Sequence, residues 1–280
     1  MNTTKPIQQL ISSRISCRSY DPSLIASDLI DQMKSFISIL NEEANSKIRF
    51  SLMSTQQSGN EAKVKLGSYG VISGAHTYIV AITHETEGDA LELGYLFEKA
   101  ILKATDLGLG TCWEGGTFNK TDFEKNIKLN EKEYIPIVSP LGYAKEKRTL
   151  LDSAMRFGAG SNNRKPIKDL FFENNTNNPL SMDQAGEYAI ALDMVRIGPS
   201  ASNKQPWRVI KQANTYHFFL ARNSGYGEMI KYDLQLNDIG IAMCHFELTV
   251  ESLGLVGSWI KLEPQPKSTG WEYVSSWVIK

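Results

Sequence analysis

One set of residues occurs twice in this chain, in the same order and at the same spacing. Glu92-Leu93-Gly94 is followed by Leu107-Gly108-Leu109 and Trp113, and Asp238-Ile239-Gly240 is followed by Leu253-Gly254-Leu255 and Trp259. Each residue of the first set lies 146 positions before its counterpart. Apolar side chains at Leu93, Leu96, Phe97, Ala100, Ile101 and Ala104 keep helical spacing, so each copy reads as a helix followed by a strand. Gly108 and Gly254 then supply the helix stop. A further correspondence lies upstream, where Arg14-x-Ser16-x-Arg18 matches Arg164-x-Pro166-x-Lys168 at a spacing of 150, the drift of one short insertion. Predicted helices near 27–40 and 182–196 follow these segments, then strands near 47–53 and 207–211, and further strands near 77–83 and 215–221. The pattern predicts two α+β units of one plan, over 1–155 and 156–280, and the 280 residues suffice for both.

Bulk properties exclude several classes. Thirty Lys and Arg balance 31 Asp and Glu, so no global field favours nucleic acid or an anionic membrane, and any anion site must be local. Cys17, Cys112 and Cys244 are odd in number, widely spaced and without a CxxC, which argues against a disulfide framework or a zinc site and for a reducing, cytoplasmic setting. The first ten residues lack an apolar signal core, and no apolar run reaches the length of a membrane span. None of the four histidines stands in an HExxH spacing, and neither a GxSxG elbow nor a GxGxxG fingerprint is present.

Four segments carry candidate binding chemistry. In Arg14-Ile15-Ser16-Cys17-Arg18-Ser19-Tyr20, the alternation of Arg14, Ser16 and Arg18 puts three polar side chains on one side of an extended segment, a receptor suited to a phosphate dianion. Gly198-Pro199-Ser200-Ala201-Ser202-Asn203-Lys204-Gln205-Pro206-Trp207 combines small residues that let a loop lie flat on a ring with the polar Ser200 and Asn203. Gly110-Thr111-Cys112-Trp113-Glu114-Gly115-Gly116 ends in two glycines whose N–H groups can approach a ring without Cβ interference. Gly142-Tyr143 is followed by a basic cluster of Lys145, Lys147 and Arg148.

These segments resemble the motifs of the FMN-dependent nitroreductase family, and the chain as a whole is similar to an internally duplicated subgroup of it. The resemblance implies an α+β fold, with a central mixed or antiparallel sheet flanked by helices, arranged as a single-chain tandem pseudo-dimer. It implies cofactor contacts from Arg14, Ile15 and Ser16, with Arg14 and Ser16 on the phosphate and Arg18 at the N1/O2 edge of the flavin. Trp113 and the glycines follow, one of Gly115 and Gly116 facing flavin N5. Lys147 and Arg148, or Lys145, would close over the phosphate. Pro199, Ser200, Ala201, Asn203 and Gln205 would reach the ring from the second half. The second copy has Pro166 and Lys168 where the first has Ser16 and Arg18, and its last strand lacks a basic tail, so one FMN per chain is expected.

The implied activity is an FMN-dependent NAD(P)H oxidoreductase, passing electrons from NADH or NADPH through flavin N5 to a nitroaromatic, quinone or similar small acceptor. No catalytic side chain, metal, nucleic acid or membrane is implied, and the assembly is a monomeric pseudo-dimer or a homodimer. The alternative is an FMN-binding protein without turnover, a sensor or reserve. Two departures from the family stand out. Glu114 occupies a usually apolar position, as a surface charge or a pocket-lining residue, and Gly67-Ser68-Tyr69-Gly70 replaces an Asn/Lys pair at the pyrimidine edge. Cys112 reads as a packed thiol rather than a redox centre.

Overall fold

A computed structural model of the chain describes residues 1–45, 47–55, 71–86, 89–145, 160, 163–226, 231–268 and 270–280. In the first half, α1 (Ile7–Ser13) and α2 (Ser27–Glu43) precede strands β1 (Ile48–Ser54) and β2 (Thr77–His84), the long helix α3 (Ala90–Asp106), β3 (Gly110–Thr111), the short α4 (Lys120–Glu124) and β4 (Glu133–Gly142). In the second, β5 (Phe171–Glu173) leads to α5 (Met182–Ala185), α6 (Ala189–Arg196), β6 (Trp207–Gln212), β7 (Thr215–Leu220), the long helix α7 (Leu234–Ser252), β8 (Gly257–Ile260) and β9 (Glu272–Ile279).

The two sheets have one topology. The first runs β1-β2-β4-β3 with every pair antiparallel. The second runs β5-β6-β7-β9-β8, so that without β5, which joins β6 in parallel, the strand order is the same. Both long helices start at an aspartate cap: Asp89 accepts from the N–H groups of Leu91 and Glu92, and Asp233 from those of Gln235 and Leu236. Both stop at the repeated glycine, with φ of 76° at Gly108 and 72° at Gly254. The single helix predicted near 182–196 is instead broken. A 3₁₀ turn over Gly186–Tyr188 separates α5 from α6, and Gly186 takes φ 58°, which ends the first piece.

Each half has its own core, and α3 and α7 pack along one another between them, with Tyr95 and Leu236 touching both cores. The α7 helix lacks a single apolar stripe and is buried along almost its whole length, polar residues such as Asn237, Asp238 and His245 included, the pattern of a helix with neighbours on every side. The helices cross at the repeated glycines. A Cβ on Gly94 would lie 2.2 Å from the Asn237 carbonyl oxygen, and one on Gly240 would lie 2.0 Å from the Leu91 carbonyl oxygen. Positions 91 and 237 are themselves 146 apart, so the contact is reciprocal, as in a two-fold dimer interface.

Candidate functional site

The other repeated residues also do paired work. Glu92 accepts the Asn45 N–H at 2.9 Å and holds the end of α2, while Asp238 accepts the Ala201 N–H on both oxygens at 3.1 Å and holds the loop after α6. The Trp113 indole donates to Glu98 on α3 and the Trp259 indole to Glu247 on α7, each at 2.9 Å. Each of these glutamates also meets a side chain of the opposite half: Glu98 faces His245 Nε2 at 2.9 Å, and Glu247 accepts from the Tyr95 hydroxyl at 2.6 Å. The tryptophan segments of both halves are thus tied to the helix crossing.

The segment 14–20 runs as an added strand on the first half. Arg14 follows α1, its N–H bonded to the Leu10 carbonyl. Ser16 pairs in parallel with Thr111 of β3, and Cys17 N–H donates to the Thr111 carbonyl at 2.8 Å. On the other side Ser73 N–H donates to the Arg18 carbonyl and Tyr20 N–H to the Ser73 carbonyl. Tyr20 is buried, with its hydroxyl on the Cys17 carbonyl at 2.6 Å, and burial pushes its phenol well above the ordinary range. The chain after Gly142-Tyr143 folds back onto this strip, with Lys145 N–H bonded to the Ser19 carbonyl. Its exposed side chain therefore stands beside the strip. Ser16 and Arg18 are half-buried, whereas Ile15 is 45 % exposed. Lys147, Arg148 and Gly67-Ser68-Tyr69-Gly70 lie outside the described residues.

Arg14 is the informative member of the strip. Its Nε and Nη1 are buried without a hydrogen-bond partner among the described residues. Buried donors on a cation are rarely left without an acceptor, because desolvation then goes uncompensated. An anion at this strip supplies what Arg14 lacks, so the residues present fit a phosphate group.

The side chains of the second-half loop are engaged within their own half. Ser202, Asn203 and Gln205 all take positive φ, which turns their side chains back into their own half. Asn203 Oδ1 accepts from Arg164 Nη1 at 2.8 Å, and its Nδ2 donates to the carbonyls of Gly160 and Asn163 at 2.8 and 2.7 Å. Gln205 is buried, and its Oε1 accepts the Lys165 N–H at 2.8 Å. Ser200 Oγ accepts the Gln205 N–H at 2.9 Å. The amides of Asn203 and Gln205 therefore shape the loop, and Pro199, Ser200 and Ala201 are its half-buried forward part. Ala201 packs on the first-half core together with Trp113, and a Cβ on Gly115 would lie 2.8 Å from Leu234 at the start of α7. Gly115 is half-buried and Gly116 exposed. The same network occupies the second copy of the arginine: Arg164 also donates from Nε and Nη2 to the Ile197 carbonyl. Its guanidinium serves the loop where that of Arg14 does not.

Glu114 is not a surface charge. It is 3 % exposed, accepts from Cys112 Sγ at 3.3 Å and from the Thr117 hydroxyl, and burial raises its carboxyl to about 7 against the opposing pull of Cys112 and Arg18. Neither its burial nor its partners show in the sequence. Cys112 is a packed thiol, pushed far up by burial and by Glu114. Among the described residues no cluster could hold a metal ion, and no helix is long and apolar enough to cross a membrane.

Two halves of one topology, joined at a reciprocal helix crossing, define a single-chain pseudo-dimer of the nitroreductase fold. A family model described as "Putative TM nitroreductase" matches residues 6–250, and the chain belongs to that family of oxidoreductases. A Thermotoga maritima protein called a putative nitroreductase is 17 % identical, with a TM-score of 0.59 over 100 % of this chain and 96 % of its own. A nitroreductase family protein from Clostridium novyi is 19 % identical (TM-score 0.39, 53 % of this chain and 91 % of its own). A nitroreductase with bound FMN from Bacteroides fragilis is 16 % identical (TM-score 0.38, 52 % and 92 %). No curated protein matches the chain.

Proposed function

We propose that the chain binds one FMN in the composite site and acts as an NAD(P)H oxidoreductase on a small nitroaromatic, quinone or similar acceptor. The buried, acceptor-less donors of Arg14 carry the reading. Bound FMN would supply reversible two-electron chemistry at its ring, the hard step that side chains do not perform. In this reading Arg14 and Ser16 hold the phosphate, Lys145 adds charge at its edge, and Arg18 faces the pyrimidine side. The Gly115-Gly116 turn offers backbone N–H groups to the ring. Ser200 and Ala201 cover it from the second half, held forward by Asn203, Gln205 and Asp238. The units 1–155 and 156–280 then contribute unequally to a single site, since Arg164 is already engaged. Three free, buried thiols suit a reducing cytoplasm.

The test is an absorption titration of the purified protein with FMN, followed by NADH and NADPH oxidation with a quinone acceptor. Saturation at one FMN per chain is expected. Arg14→Ala should weaken binding by roughly 10- to 100-fold, the worth of one or two charge-assisted hydrogen bonds. Unchanged affinity in Arg14→Ala would remove the phosphate from this strip. Tight binding without acceptor-dependent oxidation would leave a flavin reserve or sensor.

A further inference from the structure

We propose that Glu114 is a positioning residue of this site that acts through Arg18, taking up a proton when an anionic cofactor engages the strip. The proposal rests on the flavin reading above. Glu114 is fixed by a two-way backbone bridge to Val138, N–H to carbonyl at 2.9 and 3.0 Å. Trp113 next to it packs toward α3, whereas Glu114 turns to the opposite side, among Cys112, Thr117 and the layer containing Tyr78 and Val138. The parallel pairing of Ser16 with Thr111 carries the strip alongside Cys112 and Trp113, so that Arg18 and Glu114 interact as opposite charges.

Two hydrogen bonds fix the carboxyl beside the strip. The Cys112 thiol donates to Glu114 Oε1 and the Thr117 hydroxyl donates to Oε2. Cys112 follows Thr111, whose carbonyl accepts the Cys17 N–H, so the strip and the thiol are backbone neighbours. Among the described residues, the ionisable groups that interact with Glu114 are Arg18 and Tyr20 from the strip, Tyr78 from β2 and Cys112 from its own segment. Burial pushes Tyr78 up to about 12 and Tyr20 and Cys112 further from neutrality. Glu114, near 7, is the member of this group that changes charge near neutral pH.

The sign follows from charge. While ionised, Glu114 offsets Arg18. The pyrimidine edge of the incoming cofactor draws on the same guanidinium while its phosphate adds negative potential at the strip, so the carboxylate binds a proton from solvent as the cofactor binds. By linkage, cofactor affinity rises as pH falls through about 7, by at most tenfold per pH unit for one proton. The phosphate of FMN has its own second ionisation and pulls the other way, which makes the Glu114→Gln protein the needed control.

The test is calorimetric titration of FMN into wild type and Glu114→Gln at pH 7 in two buffers of different ionisation enthalpy. The wild type is expected to take up more protons per FMN than the variant, by up to one. Equal uptake in both, with FMN bound, overturns this proposal alone. No FMN binding by the wild type overturns the flavin reading and the proposal with it. Infrared spectroscopy of the wild type without FMN gives a second readout that no folding defect can obscure. A protonated-carboxyl band should grow as pH falls from 8 to 6, and its absence refutes the assignment.

Discussion

His245 shows how much one side chain carries at the centre of this molecule. Its Nδ1 faces the Met194 carbonyl at 3.0 Å, and since a carbonyl only accepts, Nδ1 bears a hydrogen. Its Nε2 faces Glu98 Oε1 at 2.9 Å, so the pair shares one further proton, and Glu98 Oε2 holds the Trp113 indole. Histidine and glutamate are both fully buried and come from opposite halves. Removing one partner strands the other, and His245→Leu is expected to cost roughly 3–5 kcal/mol. Urea unfolding measures this, and a loss below about 1 kcal/mol would mean that Glu98 finds another partner. Such a pair is invisible to sequence reasoning. Glu98 sits at a position that helical periodicity alone does not mark, and nothing in the local sequence aims His245 across the interface. The same holds for the bonds of the Asn203 amide to Arg164, Gly160 and Asn163, which nothing in the local sequence announces.

Secondary elements were legible where a period or a long apolar run writes them. β1, β2, α2, β6 and β7 start within a residue of their sequence-predicted positions, and β2 is buried along all but its last residue, as a central strand should be. β3 has two residues and α4 five, too short for any period to show, and the break at Gly186 depends on a backbone angle that the residue permits but does not announce. Side chains also tie elements that are not hydrogen-bonded neighbours. Arg49 on β1 grips Glu133 on β4 through Nε and Nη2 at 2.9 and 2.7 Å, across the intervening β2. Those bonds, with Asn130, hold the Glu133 carboxyl near 2, below its ordinary value. A depressed carboxylate stabilises the fold in full above its unfolded pKa, and loses that contribution as pH falls from about 4.5 toward 2. Arg49 is 34 % exposed, so solvent screening limits the pair to about 1 kcal/mol. Arg49→Met should therefore be less stable than wild type at pH 6, with the gap narrowing between pH 4.5 and 2.5 in denaturant titrations. A gap independent of pH would assign the effect to packing.

For the whole molecule, the decisive geometry is the helix crossing, because the composite site proposed above would exist only while the two halves sit in register. The strip and the glycine turn belong to one half and the loop proposed to cover them to the other, and the four repeated features, acid, glycine, helix stop and tryptophan, all lie at or next to that crossing. The crossing tolerates no side chain: at Gly240 a methyl group would lie 2.0 Å from the Leu91 carbonyl oxygen and 2.7 Å from the Tyr95 nitrogen, atoms of a helix backbone that cannot swing aside. At Gly254 the same group would meet nothing within 4 Å, although φ is 72°. The two alanine variants therefore separate strain from register. Gly254→Ala should cost about 1 kcal/mol through its left-handed backbone and leave FMN affinity as it was. Gly240→Ala should cost about 3 kcal/mol or more, since overpacking at a backbone contact has to part the helices. As α7 moves, Asp238 carries Ala201 with it, and Leu234 leaves Gly115. FMN binding by whatever folded protein remains should then fall at least tenfold. Thermal unfolding with and without FMN reads both effects, and a Gly240→Ala protein that binds FMN as tightly as wild type would show that the strip alone holds the cofactor and that the second half is a scaffold.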